Sequence, residues 1–243
     1  MRIDRFLSNL KYGSRSEMTK AVKKGLVKVN DKIITDSHLK IDPNKDIIHF
    51  NDELVSYYDI INIMIYKPIG YLSANKDNLH KVVLDLIEDN YKRLDLKIAG
   101  RLDLDSEGLL ILTTSGKFAH FITSPNNKIN KVYEVILDND ITNYEMLLEG
   151  VLIKDGKNEE YLAKALDIKK VEDKKYLITL DEGKFHQVKR MFLALNSKVI
   201  NLKRIQVGNL KLGNLKPGEY ITFKKEELHD WTNVFNWWLY WWN

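Results

Sequence analysis

Apolar positions in the first fifty residues change their period once, from helical to period-two spacing. Phe6, Leu7 and Leu10 lie three and four apart, as do Met18, Ala21 and Val22, which is the spacing of a buried helix face. Ser14 and Glu17 form a capping-box pair ahead of the second run, and Gly25 stands where that helix, spanning roughly 15–24, should end. The short Lys11 to Ser14 connection makes the pair a helix-turn-helix. Period-two alternation then takes over between Leu26 and Ile34, interrupted by the turn formers Asn30 and Asp31, and a further strand is expected at Ile47 to Phe50. Asn51 to Asp59 is polar and aperiodic, so it reads as the linker, with an N-terminal module over residues 1–55 and the linker running to about 59.

A second pattern begins at Ile60. An apolar strand runs to Tyr66 and stops at Lys67-Pro68-Ile69-Gly70, where proline fixes a turn. Beyond it the periodicity predicts helices near 81–88, 141–149 (closed by Gly150) and 186–195. Strands are predicted near 94–98, 108–114, 131–137, 161–168, 175–180, 198–207 and 219–223. Helices and strands do not alternate regularly, so the expected class is α+β: a small helix-turn-helix with a short sheet, then a domain over 60–228 whose largely antiparallel mixed sheet is flanked by helices. Residues 229–243 form a Trp-rich tail in which Trp231, Phe235, Trp238 and Trp242 recur at helical spacing. A terminal helix packing this stripe onto the domain is expected, with membrane-interface docking and base stacking as alternatives.

Composition narrows the functional classes. The 243 residues contain no cysteine, which removes disulfides and thiolate metal sites and fits a reducing, cytoplasmic setting. No apolar signal core opens the chain, and no window holds the roughly 20 apolar residues of a membrane span. Net charge is +4, but residues 1–28 hold eight basic side chains, among them Arg2, Arg5, Arg15, Lys20, Lys23 and Lys24, against only Asp4 and Glu17. A basic end of this kind suits polyanion binding, and a solvated helix face is the plainer alternative.

The segment Ala99 to Gly116 carries the candidate chemistry. Arg101, Asp103 and Asp105 stand between a glycine and an apolar strand, and in an extended stretch they share one face. Asp103-x-Asp105-x-Glu107-Gly108 superficially opens a calcium loop, but the twelfth position is Thr114 instead of a bidentate glutamate, and strands flank it, so no metal is expected. Two readings remain open on residue chemistry: a structural turn with Arg101 paired to a carboxylate, and catalysis by a carboxylate that is already ionised at neutral pH.

Four motifs in order support the second. Gly100-Arg101-Leu102-Asp103 and the residues to Gly116 resemble the signature of the RsuA/RluB/RluE/RluF family of rRNA pseudouridine synthases. Lys67-Pro68-Ile69-Gly70 resembles its early turn, Lys131-Val132-Tyr133 its Lys-x-Tyr strand, and Glu182 to Phe192 its late basic motif. The helix-turn-helix with Gly25 to Asn30 is similar to the S-four-type RNA-binding module that the family carries. The resemblance covers residues 1 to about 228 and does not extend to the tail.

Membership would imply conversion of uridine to pseudouridine in ribosomal RNA on a flipped-out nucleotide, with no cofactor. Asp103 would be the nucleophile, supported by Tyr133 against the extruded base, by Lys189 paired with the aspartate, and by Arg101 holding the turn or filling the gap left by the base. Lys67, His186, Gln187 and Arg190 would join the N-terminal basic residues in contacting RNA, with His186 and Gln187 serving positioning or contact. His186 has no partner carboxylate within sequence reach. Without the resemblance, Tyr133 would read as a half-buried strand residue, and Lys189 and Arg190 as a solvated face. The His186-Gln187 form resembles the small-subunit branch, which implies a single uridine of small-subunit rRNA, in an assembling particle, acted on by a monomer. A silent RNA-binding or ribosome-assembly protein on the same scaffold, and a synthase of large-subunit rRNA, are the alternatives.

Overall fold

The computed structural model describes residues 1–55, 57 and 60–228, in two compact units: Met1–Ile60 with Ile87–Asp95, and Ile61–Leu86 with the chain from Leu96 onward. The Trp-rich tail, and the helix expected in it, lie outside the described residues.

The first unit holds α1 (Ile3–Asn9) and α2 (Arg15–Lys23) against a sheet of β1 (Val27–Val29), β2 (Lys32–Ile34), β3 (Ile48–Phe50) and β4 (Glu53–Leu54), ordered β2-β1-β3-β4. The Ser14 hydroxyl accepts from the Glu17 N–H and the Glu17 carboxylate from the Ser14 N–H, a complete capping box that satisfies two donors at the start of α2. Phe6, Leu7, Met18, Val22, Val27 and Ile48 are buried in one core. Asn30 and Asp31, both at positive φ (50° and 63°), make the hairpin turn between β1 and β2.

Two features depart from the sequence reading. Asn51 and Asp52 repeat the same left-handed pair (51° and 64°) and turn the chain back into β4, so the start of the expected linker is a strand of this sheet. In addition α3 (Asp89–Lys92), with its flanks, belongs to this unit: Ile87 is 2% exposed, Leu94 packs on the core, and the Arg93 guanidinium lies 4.0 Å from the Tyr12 ring centroid.

The second unit is built on a nine-stranded sheet. Its strands are β5 (Asn62–Lys67), β6 (Lys97–Ala99), β7 (Glu107–Thr113), β8 (Lys131–Leu137), β11 (Asp167–Glu172), β12 (Lys175–Leu180), β13 (Val199–Val207), β14 (Leu210–Lys211) and β15 (Tyr220–Phe223). The order is β11-β12-β8-β13-β7-β5-β15, with β6 on β7 and β14 on β13, and every described pairing is antiparallel except β13 with β7. All six residues of β5 are buried, as are the apolar residues of β7, because both faces of these central strands are covered. Leu109 and Ile111 pack with Phe118, Ala119 and Ile122 of α4 (Gly116–Thr123).

That helix was not expected from sequence. Ser115 caps it, accepting from the Phe118 N–H at 3.2 Å, and eight residues gave too little periodicity to be seen beside β7. The helix expected at 81–88 is a 3-10 turn over Val83–Leu86, and that expected at 141–149 is reduced to α5 (Met146–Glu149). The strand expected at 161–168 is two: β10 (Glu160–Ala163), which pairs in a separate hairpin with the unforeseen β9 (Val151–Lys154), and β11. The helix α6 (Gln187–Ala194) buries Val188, Met191 and Phe192. Among the described residues no helix is long and apolar enough to cross a membrane.

Candidate active site

Asp103 stands in the turn between β6 and β7, and the backbone on both sides of it is clamped. The Ser73 hydroxyl accepts from the Leu102 N–H (3.0 Å) and donates to the Leu102 carbonyl (2.7 Å), the Gly70 N–H donates to the Leu104 carbonyl (2.8 Å), and the Ser106 N–H closes the turn on the Asp103 carbonyl (3.1 Å). Ser73 and Ser106 are buried, so the bonds that these two make act where water competes little for them. A side chain carried by such a turn is held close to one geometry.

The Asp103 carboxylate, one-third exposed, meets α6. Its Oδ2 accepts from Lys189 Nζ at 3.2 Å, and its Oδ1 lies 3.4 Å from His186 Nε2. Lys189 also donates to Asp105 Oδ1 at 2.5 Å, which holds the Asp105 carboxyl below the usual carboxylate range, with partial burial opposing. Asp105 is largely exposed, so the lysine bridges an inner and an outer carboxylate.

Asp103 opens onto a cavity of about 670 Å³, lined also by Arg101, Lys131, Tyr133, His186 and Arg204, a size that suits a small ligand or one extruded nucleotide. Tyr133, 7% exposed, lies on β8 directly across from Ile178 on one side and Arg204 on the other. Strand β8 alternates buried and less buried positions, which puts Lys131 and Tyr133 on one face.

The structure thus brings Asp103, Arg101, Tyr133, Lys189 and His186 together. Arg101 lines the cavity with an exposed side chain that makes no ion pair or hydrogen bond among the described residues, so the structural salt bridge considered for it is not formed with any of them. His186 has the partner carboxylate that its neighbourhood in sequence lacked, because α6 folds against the Asp103 turn across 82 intervening residues. His186 also occupies the left-handed region (φ 51°) and stacks on Phe185 at 3.8 Å.

Other expectations need correction. Lys67 was expected to contact RNA, yet it is fully buried, donates to the Pro68 carbonyl at 2.9 Å, and cannot reach a polyanion. Its burial pushes the ammonium down to about 8 against the pull of Asp103, Asp105 and Glu107. Gln187, at 3% exposure, donates to Glu182 Oε1 at 2.5 Å and accepts from the Lys184 N–H at 3.0 Å; of its two expected roles, positioning is the one such burial fits. Arg190 is outside the cavity lining, bonded to the Lys154 carbonyl and 5.0 Å from the Phe185 ring centroid.

In the first unit Arg5, Lys20, Lys23 and Lys24 are exposed, while Arg2 and Arg15 are both drawn to Asp4 (2.7 and 3.4 Å). Asp4 is 1% exposed; burial works against its charge, but hydrogen bonds from Arg2, the Arg5 N–H and Arg15 outweigh it and hold the carboxyl below its ordinary value.

Lys131 and Arg204 are the cavity residues that sequence reasoning passed over. Lys131 donates to the Ile129 carbonyl at 2.8 Å, and burial, with Arg204 nearby, pushes it down to about 8. Arg204 falls at a buried register of β13, and a charge at an inward strand position was the signal available for it. Among the described residues no group of three or more His, Asp or Glu side chains could hold a metal ion.

A carboxylate turn paired with a basic helix beside a nucleotide-sized cavity, on a mixed sheet, describes an enzyme that handles one small group at a time. Residues 61–194 match the RNA pseudouridylate synthases and residues 1–47 the S4 domain, and the chain belongs to the RNA pseudouridylate synthase family, whose reaction is the isomerisation of uridine to pseudouridine. An uncharacterized RNA pseudouridine synthase of Bacillus subtilis is 37% identical over 94% of this chain and 97% of its own length. The ribosomal small subunit pseudouridine synthase A of Vibrio vulnificus is 37% identical over 94% and 98%, and that of Escherichia coli 31% over 94% and 98%. A crystal structure of a pseudouridylate synthase, 32% identical, superposes over 94% of this chain and 98% of that one with a TM-score of 0.63.

Proposed function

We propose that the protein converts a single uridine of small-subunit ribosomal RNA to pseudouridine, with Asp103 as the nucleophile and no cofactor. The observation that carries this reading is the placement of Asp103: a turn clamped through its backbone presents the carboxylate to a cavity lined by Tyr133, with Lys189 at 3.2 Å. The reaction breaks the C1′–N1 bond, turns the base and rejoins it through C5. The enzyme must therefore stabilise the sugar carbon and keep the detached uracil from leaving.

A carboxylate can do the first by attack or by stabilising and deprotonating the sugar. Lys189 aims it through a charge-assisted hydrogen bond. Tyr133 offers an aromatic face to a base that has left its stack, and Arg101, at the cavity, faces the RNA from which the base came. Exposed Arg5, Lys20, Lys23 and Lys24, with Arg2 and Arg15 ordered by Asp4, supply the phosphate contacts. The small-subunit target is favoured by the relatives named for it and by the His186-Gln187 pair. The enzyme acts as a monomer, in the cytoplasm, on rRNA of the assembling small subunit.

The test is to incubate the purified protein separately with unmodified small-subunit and large-subunit rRNA and to map pseudouridine at single-nucleotide resolution. One site in small-subunit rRNA is expected. Conversion confined to large-subunit rRNA would overturn the target, and no conversion of either would overturn the activity.

A further inference from the structure

We propose that Arg204 is a positioning residue whose guanidinium ties together the two ends of the Asp103 turn and so sets the aim of the carboxylate; this rests on the reading of Asp103 as the nucleophile. Arg204 is 2% exposed, and none of the ion pairs among the described residues involves it. A buried guanidinium ordinarily sits against a carboxylate. This one donates instead from Nε to the Leu109 carbonyl at 2.8 Å and from one terminal nitrogen to the Gly100 carbonyl at 2.7 Å. Gly100 precedes the Asp103 turn and Leu109 follows it, so one rigid planar fork spans the loop at its base.

The backbone agrees with that role. Arg204 pairs in register with Gly108 on β7 and with Tyr133 on β8, which puts its side chain at the junction of the strands that carry the candidate nucleophile and the base-facing tyrosine. Gly108 is at φ +107°, and a Cβ there would stand 2.2 Å from the Arg204 carbonyl oxygen, so the strands meet more closely than any side chain at 108 would allow. Gly100, at φ +85°, turns its carbonyl toward the guanidinium.

Stability alone argues against a charge here. Lys67 and Lys131 are each pushed down chiefly by burial, with Arg204 adding to the same direction, so the core of this unit gathers three basic groups. Apolar residues of similar volume usually replace buried charges without loss of stability. What an apolar side chain lacks is the pair of divergent donors that fixes two carbonyls at a set separation.

The experiment compares the unsubstituted enzyme with Arg204→Met and Arg204→Lys in steady-state conversion of the rRNA substrate, in RNA binding, and in amide hydrogen exchange. For Arg204→Met the expectation is a fall in kcat of about 100-fold or more, the effect of a roughly 1 Å misplacement, with KM and RNA affinity changed by less than about threefold. Exchange should accelerate at residues 100–106 while β8 and β12 keep their protection. Arg204→Lys, which retains one donor, should recover part of the rate. A folded Arg204→Met enzyme with kcat within about twofold of the original overturns the proposal. So does exchange that rises throughout the sheet, or failure of both variants to fold, since the arginine would then be holding the sheet and not the turn. Should the unsubstituted protein make no pseudouridine, the reading of Asp103 fails, and exchange at residues 100–106 in Arg204→Met still decides whether the arginine holds the turn.

Discussion

Lys67 illustrates how a motif residue can belong to a site without touching what the site binds. It is fully buried, with the Pro68 carbonyl as acceptor, and its ammonium titrates at about 8 where an exposed lysine titrates at 10.5. The unfolded chain therefore holds this proton more tightly than the folded one. Protein stability should rise as pH climbs from about 8 to about 10.5, because the native state no longer has to bury a charge that the unfolded state keeps. Lys67→Met should then be more stable than the unsubstituted protein at pH 7, by up to about 3 kcal/mol, with the gap closing toward pH 10.5. Urea denaturation at the two pH values measures this, and a methionine variant that is less stable at pH 7 than at pH 10 relative to the original would refute the assignment of burial as the dominant effect. Asp103, Tyr133 and Lys189 were legible as a set through their motifs. The His186 contact was not, because it depends on α6 meeting the Asp103 turn in space, and no spacing in the chain reports that distance.

Turns between strands were legible where their chemistry was local. Asn30-Asp31 reads as a hairpin turn in the sequence and is one; Asn51-Asp52, the same dipeptide in the same left-handed conformation, reads as linker because the strand after it is only two residues long. The β9–β10 hairpin and α4 were missed for a similar reason: four-residue strands and an eight-residue helix carry too few periods to stand out, and tertiary packing decides them. The parallel contact between β13 and β7 is invisible in sequence yet governs the site, since it requires Gly108. Gly108→Ala should destabilise the catalytic unit by at least about 3 kcal/mol, because an alanine is strained at this φ and its Cβ meets backbone, which cannot swing away as a side chain could. Thermal unfolding followed by near-ultraviolet circular dichroism would show it; an unchanged melting temperature would mean that the strands can separate at this point without loss.

Taken as a molecule, the chain combines an α+β unit holding the carboxylate turn with a small unit in which Arg5, Lys20, Lys23 and Lys24 are exposed. The α+β class and the helix-turn-helix followed by sheet were readable from periodicity, whereas the return of residues 87–95 to the first unit was not, since Ile87 and Leu94 look like any apolar pair between two strands. That return bears on how the RNA-binding role should be tested. Removing the N-terminal residues would strip away the core on which Leu94 packs, so neutralising charge is the cleaner perturbation. Lys20, Lys23 and Lys24 replaced together by glutamine should weaken rRNA binding and flatten its salt dependence by about two to three on a log–log slope, as expected for up to three lost phosphate contacts, while kcat at saturating RNA stays unchanged. An unaltered slope in titrations between low and physiological salt would remove these lysines from the interface.

Asp103 is the centre of the proposed chemistry. Its turn is clamped by Ser73, Gly70 and Arg204, its carboxylate is paired with Lys189, and it opens on the cavity that Tyr133 lines. Asparagine preserves that shape and some of its hydrogen bonds while removing the charge and the nucleophile. Unmodified small-subunit rRNA should therefore be incubated with equal amounts of unsubstituted protein and Asp103→Asn, both shown to be folded and to bind the RNA, and pseudouridine mapped in each. The predicted result is complete conversion of one uridine by the unsubstituted protein and none by Asp103→Asn; conversion of that uridine by Asp103→Asn at a comparable rate would contradict it.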